Sequence, residues 1–569
     1  MRPEWIIAPP APDAYRAALT DFHPLTVQTL YARGLTQPDA ARAFVQGRFD
    51  PVDPFVMRGM REAVDRMARA ITAHQRIAVY GDYDCDGVTA CALLKRTLDS
   101  LGAPARVYIP NRFDEGYGLN ADALDTLKAE GIDLVVTVDC GARAAREAAH
   151  AATIGLDLII TDHHELDSHV IPEALALVNP RHPQCGYPFK SLAGVGVAFR
   201  LAQCLLRTMR TPGQITERAL LDLVALGTVA DVVSMTGENR LLVAAGLAVI
   251  NSAPRAGLEA LMRAAGVAPG AVDAGKIGFM LAPRLNAAGR LESALASYEL
   301  LVCDDPLRAT EIAAQLNAQN EQRQSMTAEV ARDAETRAME ADAAAPLLFA
   351  AADGYNPGVI GLAAARLAEK YHRPAVVVAI HAGEARGSCR SVKDFHITQA
   401  LDACAGLLTR HGGHAAAAGF TAPTERLDDL RTSLISIARN AQPADGWRRH
   451  IRVEAETDLS QLNRKALTEL ARLEPFGIDN PRPVFVARQA EIVSARRVGK
   501  AATEGGPPHL QVRLKDSRRA VWDAVAWRAG ERHAELRAGE CIDLAFHLDE
   551  NEWNGERKLQ LVLQDFRPV

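Results

Sequence analysis

The stretch "VYGDYDCDGVTA", residues 79–90, places Asp82, Asp84 and Asp86 at alternate positions directly after an apolar run. Carboxylates this close repel, and they stay ionised only where water or a cation compensates them. Read alone, the stretch is a solvated acidic turn, because Asp and Gly favour turns. Its surroundings argue against that reading.

Outward from this loop, the first half of the chain alternates strand and helix. "RIAVY" (76–80) leads into the loop, and "TACALLKRTLDSLG" (89–102) reads as a helix after it. Further strands are expected at "ARVYI" (105–109), "DLVVTV" (133–138), "LDLIIT" (156–161) and "LALVN" (175–179). Helices are expected at 120–131, with Asn120 as N-cap, and at 142–155. Strands separated by amphipathic helices imply right-handed crossovers and a mostly parallel sheet. In such a sheet the strand carboxyl ends point one way, and ligands bind just beyond them. Asp139 follows "LVVTV", and Asp162, His163 and His164 follow "LDLIIT". "LVALGTVADVV" (223–233) offers Asp231 after an apolar run that also fits a helix. Independent acidic turns have no reason to fall at successive strand ends, so these groups are expected to converge.

Carboxylate oxygen with imidazole nitrogen suits Mn²⁺ or Mg²⁺, with Zn²⁺ and Co²⁺ also open. The lack of cysteine ligands argues against a structural zinc site. Three or more acids suggest two cations about 3.5–4 Å apart with one acid shared. Such a pair activates water and neutralises charge developing on a phosphoryl group.

The wider composition sets bounds. A chain of 569 residues should hold roughly three or four domains. Nine cysteines are scattered with no Cys-x-x-Cys pair, which predicts reduced thiols and a cytoplasmic setting. No apolar run is long enough to span a bilayer, and "MRPEWIIAPPAPDAYR" lacks the apolar core of a signal peptide. A net charge of -6 does not advertise a nucleic-acid binder, but an acidic metal site would add to that total and can hide a local basic groove, so the balance decides neither way.

"DYDCDGVTA", "VTVDCG", "ITDHHE" and "GTVADVV", in this order, resemble the four motifs of the DHH phosphoesterase superfamily. Within it, the chain is similar to the RecJ family of bacterial single-stranded-DNA-specific exonucleases. "IPNRFDEGYGL" (109–119), "LAPRLNAAGRL" (281–291), "LNAQNEQRQ" (316–324), "GVIGLAAARL" (358–367), "GSCRS" (387–391), "GGHAAAAGF" (412–420) and "LEPFGIDNPRPVF" (473–485) extend the resemblance over nearly the whole chain. It implies two α/β lobes, DHH and DHHA1, joined by a long helix around a cleft, plus a C-terminal β-barrel of OB type. The expected divisions are an N-terminal segment 1–48, a DHH domain 49–300, a connecting helix 301–345, a DHHA1 domain 346–445 and an OB domain 449–569.

The resemblance also implies roles. Asp84, Asp86, Asp139, His163 and Asp231 fall on positions that bind two divalent metals, Mn²⁺ foremost and Mg²⁺ as the alternative, with Asp139 as the bridge. Asp82 joins them or stands just behind. Asp162 is expected to orient His163, and His164 to sit beside the scissile phosphate. Arg112, Ser388 and Arg390 are expected to hold a 5′-terminal phosphate, a bidentate task suited to arginine. Arg284, Arg290 and His414 are expected along the strand path. The implied activity is 5′→3′ hydrolysis of single-stranded DNA to mononucleotides, in repair and recombination. A single-strand-binding protein and a RecQ-type helicase are the implied partners, with no membrane and a monomer as working unit. The alternatives are a DHH enzyme for short oligonucleotides or cyclic dinucleotides, and a non-catalytic DNA-binding relative. The chain's length opposes the first, and its full set of acids opposes the second.

Three departures stand out. Tyr355 and Asn356 replace a Trp-His pair, Asp479 replaces a common glycine, and Cys85 sits between metal acids. Strand alternation would turn Cys85 away from the acids, into packing. From about 449 the chain is β-rich. Arg496, Arg497, Lys500, Arg513, Lys515, Arg518, Arg519 and Arg528 interleave there with Trp522 and Trp527, as in a sequence-tolerant single-strand groove.

Overall fold

The computed structural model describes residues 2–48, 52–111, 115, 118–167, 170–499, 508–553 and 555–569, so Arg112 and Lys500 lie outside the described residues. The chain forms two compact units. One holds Val52–Val233 and Ala245–Arg448, the other Met1–Pro51, Ser234–Ala244 and Arg449–Val569.

The first unit starts from a five-stranded parallel sheet of β1 (Ile77–Tyr80), β2 (Arg106–Tyr108), β3 (Leu134–Val138), β4 (Asp157–Thr161) and β5 (Ala176–Val178). Its order is β2-β1-β3-β4-β5. Strands β1 and β3 are buried at every residue, as expected of a sheet covered on both faces. Each buried Leu or Val there contributes about 1.5–3 kcal/mol of burial free energy. From β1 the chain goes to β2 on one side and returns to β3 on the other. The switch point therefore lies between β1 and β3, where ligands bind in doubly wound sheets. The loops carrying Asp82–Asp86 and Asp139 leave those two strands.

Helix α1 spans Cys85–Ser100 and begins earlier than position 89. The carboxylate of Asp84 caps it, so the acidic stretch is a helix start and not an extended loop. Cys85 is therefore the first helical residue; it is buried, but by helix geometry and not by strand alternation. Helix α2 spans Gly194–Met209. The run at 223–233 is helical: α3 covers Leu221–Ala230, with Asp231 at its C-cap. Helix α4 (Ala282–Leu291) follows a π-helical turn at Ile277–Leu281.

Helix α5 (Pro306–Asp342) runs for 37 residues without an internal Gly or Pro. It is not simply exposed: Ile312, Leu316, Val330 and Ala334 are buried on one side, and α5 packs against α4 and the second lobe. That lobe is a sheet of β6 (Leu348–Asp353), β7 (Ala375–His381), β8 (Glu384–Arg390), β9 (Arg410–His414) and β10 (Ala417–Pro423), in the order β9-β10-β8-β7-β6. Helix α6 (Ile360–Tyr371) packs on it. "GGHAAAAGF" forms the β9–β10 hairpin. Tyr355 donates its hydroxyl to Asp333 on α5, and Asn356 Oδ1 accepts the Gly358 N–H at 2.7 Å, so both replaced residues hold this lobe together.

The second unit contains a closed barrel of β11 (Phe485–Val498), β12 (His509–Lys515), β13 (Val521–Ala526), β14 (Cys541–Trp553) and β15 (Glu556–Pro568). The order β11-β12-β13-β15-β14 closes through β14 on β11, with β13 and β15 parallel. This is the connectivity of an OB barrel. The N-terminal residues belong to the same unit: Glu4–Ile7 pairs in parallel with His450–Val453, and the His23 N–H donates to Glu469 at 2.6 Å. Trp522 is half-buried against the barrel core and donates to Asp516, whereas Trp527 is 60% exposed and edge-on to His509. Arg496, Arg497, Arg513, Arg518, Arg519 and Arg528 are exposed; Lys515 is paired with Glu491. Asp479 takes φ 60°, the left-handed conformation in which glycine is favoured, so the turn keeps its shape with a different residue.

Candidate active site

The metal loop is held from three sides. Asp84 Oδ1 accepts the N–H groups of Asp86 (2.9 Å) and Gly87 (3.1 Å), and Asn286 Oδ1 on α4 accepts that of Cys85 at 2.7 Å. Asp86 points into the start of α2, where its two oxygens accept from Gly194 (2.6 Å) and Val195 (2.9 Å). A helix N-terminus favours this negative charge. Asp139 leaves β3 with φ 62°, a strained backbone of the sort found at functional sites.

These placements bring donor atoms to one point. His163 Nε2 lies 3.1 Å from Asp139 Oδ1, 3.5 Å from Asp231 Oδ2 and 3.9 Å from Asp86 Oδ2. Asp82, Asp84 and Asp139 form an adjoining group whose carboxylate oxygens lie within 4.8 Å of one another. Asp139 Oδ1, Asp231 Oδ2 and His163 Nε2 are buried without a hydrogen-bond partner. Buried polar atoms are normally satisfied, so this set fits cations. Burial, and then the Asp84 charge, pushes Asp86 up to about 7, against the two N–H groups that pull it down. Burial and neighbouring acids likewise push Asp139 and Asp231 well up. Burial, then the neighbouring His164, pushes His163 down to about 3, which keeps its ring a neutral lone-pair donor. Hard oxygen donors with one imidazole suit Mn²⁺ or Mg²⁺.

Asp162 is placed differently from expectation. Its Oδ1 accepts Nδ1 of the His164 ring at 2.8 Å and the N–H groups of His163 and His164, while Oδ2 accepts the Ala142 N–H. It therefore orients the His164 ring, because the His163 ring turns away toward the carboxylates. Burial opposes charge on both partners, but their mutual hydrogen bond and attraction hold Asp162 down at about 2 and His164 above the usual imidazole value.

On the second lobe, Ser388 and Arg390 stand side by side on β8, with Arg390 Nη1 donating to Ser388 Oγ at 3.3 Å. Burial pushes the Arg390 pKa down, and no carboxylate pairs with it among the described residues. Gly361 in the first turn of α6 lies against both: an added Cβ would come within 2.9 Å of Ser388 Oγ and 3.2 Å of Arg390 Nη2. His414, at the end of β9, is held below the usual imidazole value by burial and then by the charges of His164, Arg143 and Arg181. Arg290 Nη1 donates across to Gly358 O at 3.4 Å. Arg284 is instead tied into the helices, through Asn317 Oδ1 (2.9 Å) and Met280 O (2.6 Å).

Sequence reading missed the residues that support this site. A Cβ on Gly194 would strike Asp139 Oδ1, and one on Gly227 would come within 2.7 Å of Asp86 Oδ1. "AGVGVA" (193–198) carried the signal, two glycines opening a helix. Gly194→Ala is expected to raise the Mn²⁺ concentration for half-maximal cleavage by about 10- to 100-fold, as losses around metal ligands do. Mn²⁺ titration of a variant with a native circular dichroism spectrum checks it; a wild-type midpoint would show that α2 yields.

A parallel sheet bearing this cluster, a DHHA1 lobe and an OB barrel define a DHH-family protein. Family models match the DHH family N-terminal domain over residues 76–228, the DHHA1 domain over 344–440 and the RecJ OB domain over 453–565. The single-stranded-DNA-specific exonuclease RecJ of Bacillus subtilis is 37% identical over 99% of this chain and 70% of its own length. That of Dickeya dadantii is 33% identical over 97% of both. RecJ of Thermus thermophilus in complex with Mn²⁺ superposes with a TM-score of 0.84 at 30% identity, covering 99% of this chain and 79% of that one; its Mg²⁺ complex gives 0.78. The chain belongs to the RecJ family.

Proposed function

We infer that the chain is a single-stranded-DNA-specific exonuclease that hydrolyses phosphodiester bonds from the 5′ end, releasing 5′-mononucleotides in DNA repair and recombination. The observation that carries this reading is the buried set Asp139 Oδ1, Asp231 Oδ2 and His163 Nε2, none with a hydrogen-bond partner, at the switch point of the sheet. Asp84, Asp86, Asp139, His163 and Asp231 would hold two divalent cations, with Asp82 beside them. Such ions supply an activated water and neutralise phosphoryl charge. His164, its ring held through Nδ1 by Asp162, would donate a hydrogen bond or proton to the phosphate or the leaving oxygen. Water adds to phosphorus and the bond to the 3′ oxygen breaks. The 3′-hydroxyl leaves on the released nucleotide, and the shortened strand keeps a new 5′-phosphate. The same terminal group is thus presented at every round.

A time course on 5′-labelled and 3′-labelled single strands, with duplex and dinucleotide controls and Mn²⁺, Mg²⁺ or chelator, tests this. Expected are mononucleotides from the 5′ label at once, laddering of the 3′ label, an intact duplex, and no reaction in chelator. Release of the 3′ label first would overturn the direction, and internal cuts would overturn the exonuclease reading.

The terminal phosphate would be read by Ser388 and Arg390, with Arg112 of the first lobe as the further candidate. Charge-assisted hydrogen bonds contribute about 1.5–3 kcal/mol. Arg390→Ala is therefore expected to slow 5′-phosphorylated strands about 10- to 100-fold, and 5′-hydroxyl strands far less. Initial rates on the two substrates decide; equal slowing on both would assign Arg390 to general strand binding. A single-strand-binding protein and a RecQ-type helicase as partners, a monomeric working unit and a cytoplasmic setting complete this reading. No single helix among the described residues is long and apolar enough to cross a membrane.

A further inference from the structure

Asn179 ends "LALVN", a stretch that the proposed chemistry leaves unused. It follows β5 directly and is wholly buried. Strand β5 lies beside β4, which delivers Asp162, His163 and His164, and the two stay joined past their ends: the Asp162 N–H donates to Val178 O at 3.1 Å. One residue further on, the Asn179 side chain reaches across, and its Nδ2 donates to His164 O at 2.9 Å. Its Oδ1 accepts the Arg181 N–H at 2.8 Å, and its carbonyl accepts the His182 N–H at 3.1 Å. The residue after His164 is held from the same turn, where Arg181 pairs with Glu165. Arg143 Nε adds a hydrogen bond to Glu165 O at 3.0 Å.

The bond to Arg181 makes Asn179 the start of a turn, a task that aspartate or serine performs as well. The bond to His164 is more demanding. It needs a hydrogen on the atom two bonds beyond Cβ; an ionised aspartate has none there, and serine is one bond shorter. Asp162 already holds the His164 ring through Nδ1 at 2.8 Å and the His164 N–H at 3.1 Å. Asn179 holds the carbonyl on the other side of the same residue, so ring, N–H and C=O are all tied to buried side chains. We propose that Asn179 is a positioning residue for His164: its amide fixes the peptide that carries the imidazole, so that the ring meets the phosphate without rearrangement. The proposal rests on the reading of His164 as the group beside the scissile phosphate.

The test is a double-mutant cycle on the full chain. Asn179→Ser and Asn179→Asp are made in the wild type and in His164→Ala, and kcat, KM for a single strand and the Mn²⁺ midpoint are measured for each. Both substitutions keep an acceptor for the Arg181 N–H and drop the donor to His164 O. Serine also avoids a buried charge, so it carries the test where the aspartate variant fails to fold. A misplacement of about 1 Å at a reacting group costs about 100-fold. Asn179→Ser is therefore expected to lower kcat about 10- to 100-fold, with KM and the Mn²⁺ midpoint at wild-type values. In His164→Ala the same substitution is expected to change kcat by less than about twofold, because the group it positions is gone. Equal losses in both backgrounds would overturn the proposal, and so would wild-type kcat in Asn179→Ser. A shifted Mn²⁺ midpoint would also overturn it, by placing the action of Asn179 on the metal ligands. Undiminished kcat in His164→Ala alone would instead sink the reading of His164, and the proposal with it.

Discussion

Asp139→Asn is expected to remove cleavage while leaving single-strand binding in place. Asparagine keeps the shape of the side chain and deletes one negative charge. Asp139 belongs to both donor groups: it sits 3.1 Å from His163 Nε2, and it shares a second cluster with Asp82 and Asp84. No other acid is common to both, so its loss weakens the hold on two cations together. Removing a single preorganised electrostatic contact commonly costs about 100- to 1,000-fold in rate, and a shared ligand should reach the top of that range. A second readout has the opposite sign. Without cations the buried acids repel, and burial and its neighbours already push Asp139 well up. Asp139→Asn should therefore raise the melting temperature of the protein in chelator and abolish the further rise that Mn²⁺ gives the wild type. Retention of a tenth of wild-type turnover in saturating Mn²⁺ would remove Asp139 from the bridging role.

The second large effect belongs to His164. Its ring is held through Nδ1 by Asp162 and stays partly open to the cleft, 34% exposed, while its neighbour His163 is buried among the carboxylates. A positioned acid or base contributes about 100- to 10,000-fold. His164→Ala is expected to lose activity in that range with an unchanged Mn²⁺ midpoint, which separates it from the ligand variants. Asp162→Asn should lose less. It leaves the ring in place but removes the charge that raises its pKa, so the remaining activity should shift toward lower pH. Rates across a pH series at fixed Mn²⁺ check both; a shifted metal midpoint in His164→Ala would make that residue a ligand.

How much of this was legible in the chain differs residue by residue. The three strand-end motifs could be read directly, because a buried parallel strand demands a short β-branched run and a helix demands its own period; the fourth, carrying Asp231, sits at a helix C-cap. Asp82, Asp84, Asp86, Asp139 and the Asp162-His163-His164 triplet are each adjacent to such a run, so local pattern placed them on one edge. The helix start at Cys85 was misread because the capping role of Asp84 competes with its reading as a loop acid. Cys85 then inherited a strand's alternation that it does not have.

Sequence by itself determined the parallel sheet and the convergence of acids and histidines on its edge, since these follow from periodicity and neighbours within a few residues; the second lobe and the OB barrel were implied by the family resemblance of their motifs. Tertiary structure alone decided which imidazole Asp162 holds and that the first residues of the chain join the unit of the barrel. It also decided that Asp86 is gripped by the N–H of Gly194, 108 positions away. Contacts between distant residues depend on how packed elements are finally oriented, and a hydrogen bond a fraction of an ångström long or short changes partner. Local preference carries no record of that, whereas close packing leaves room for only one arrangement.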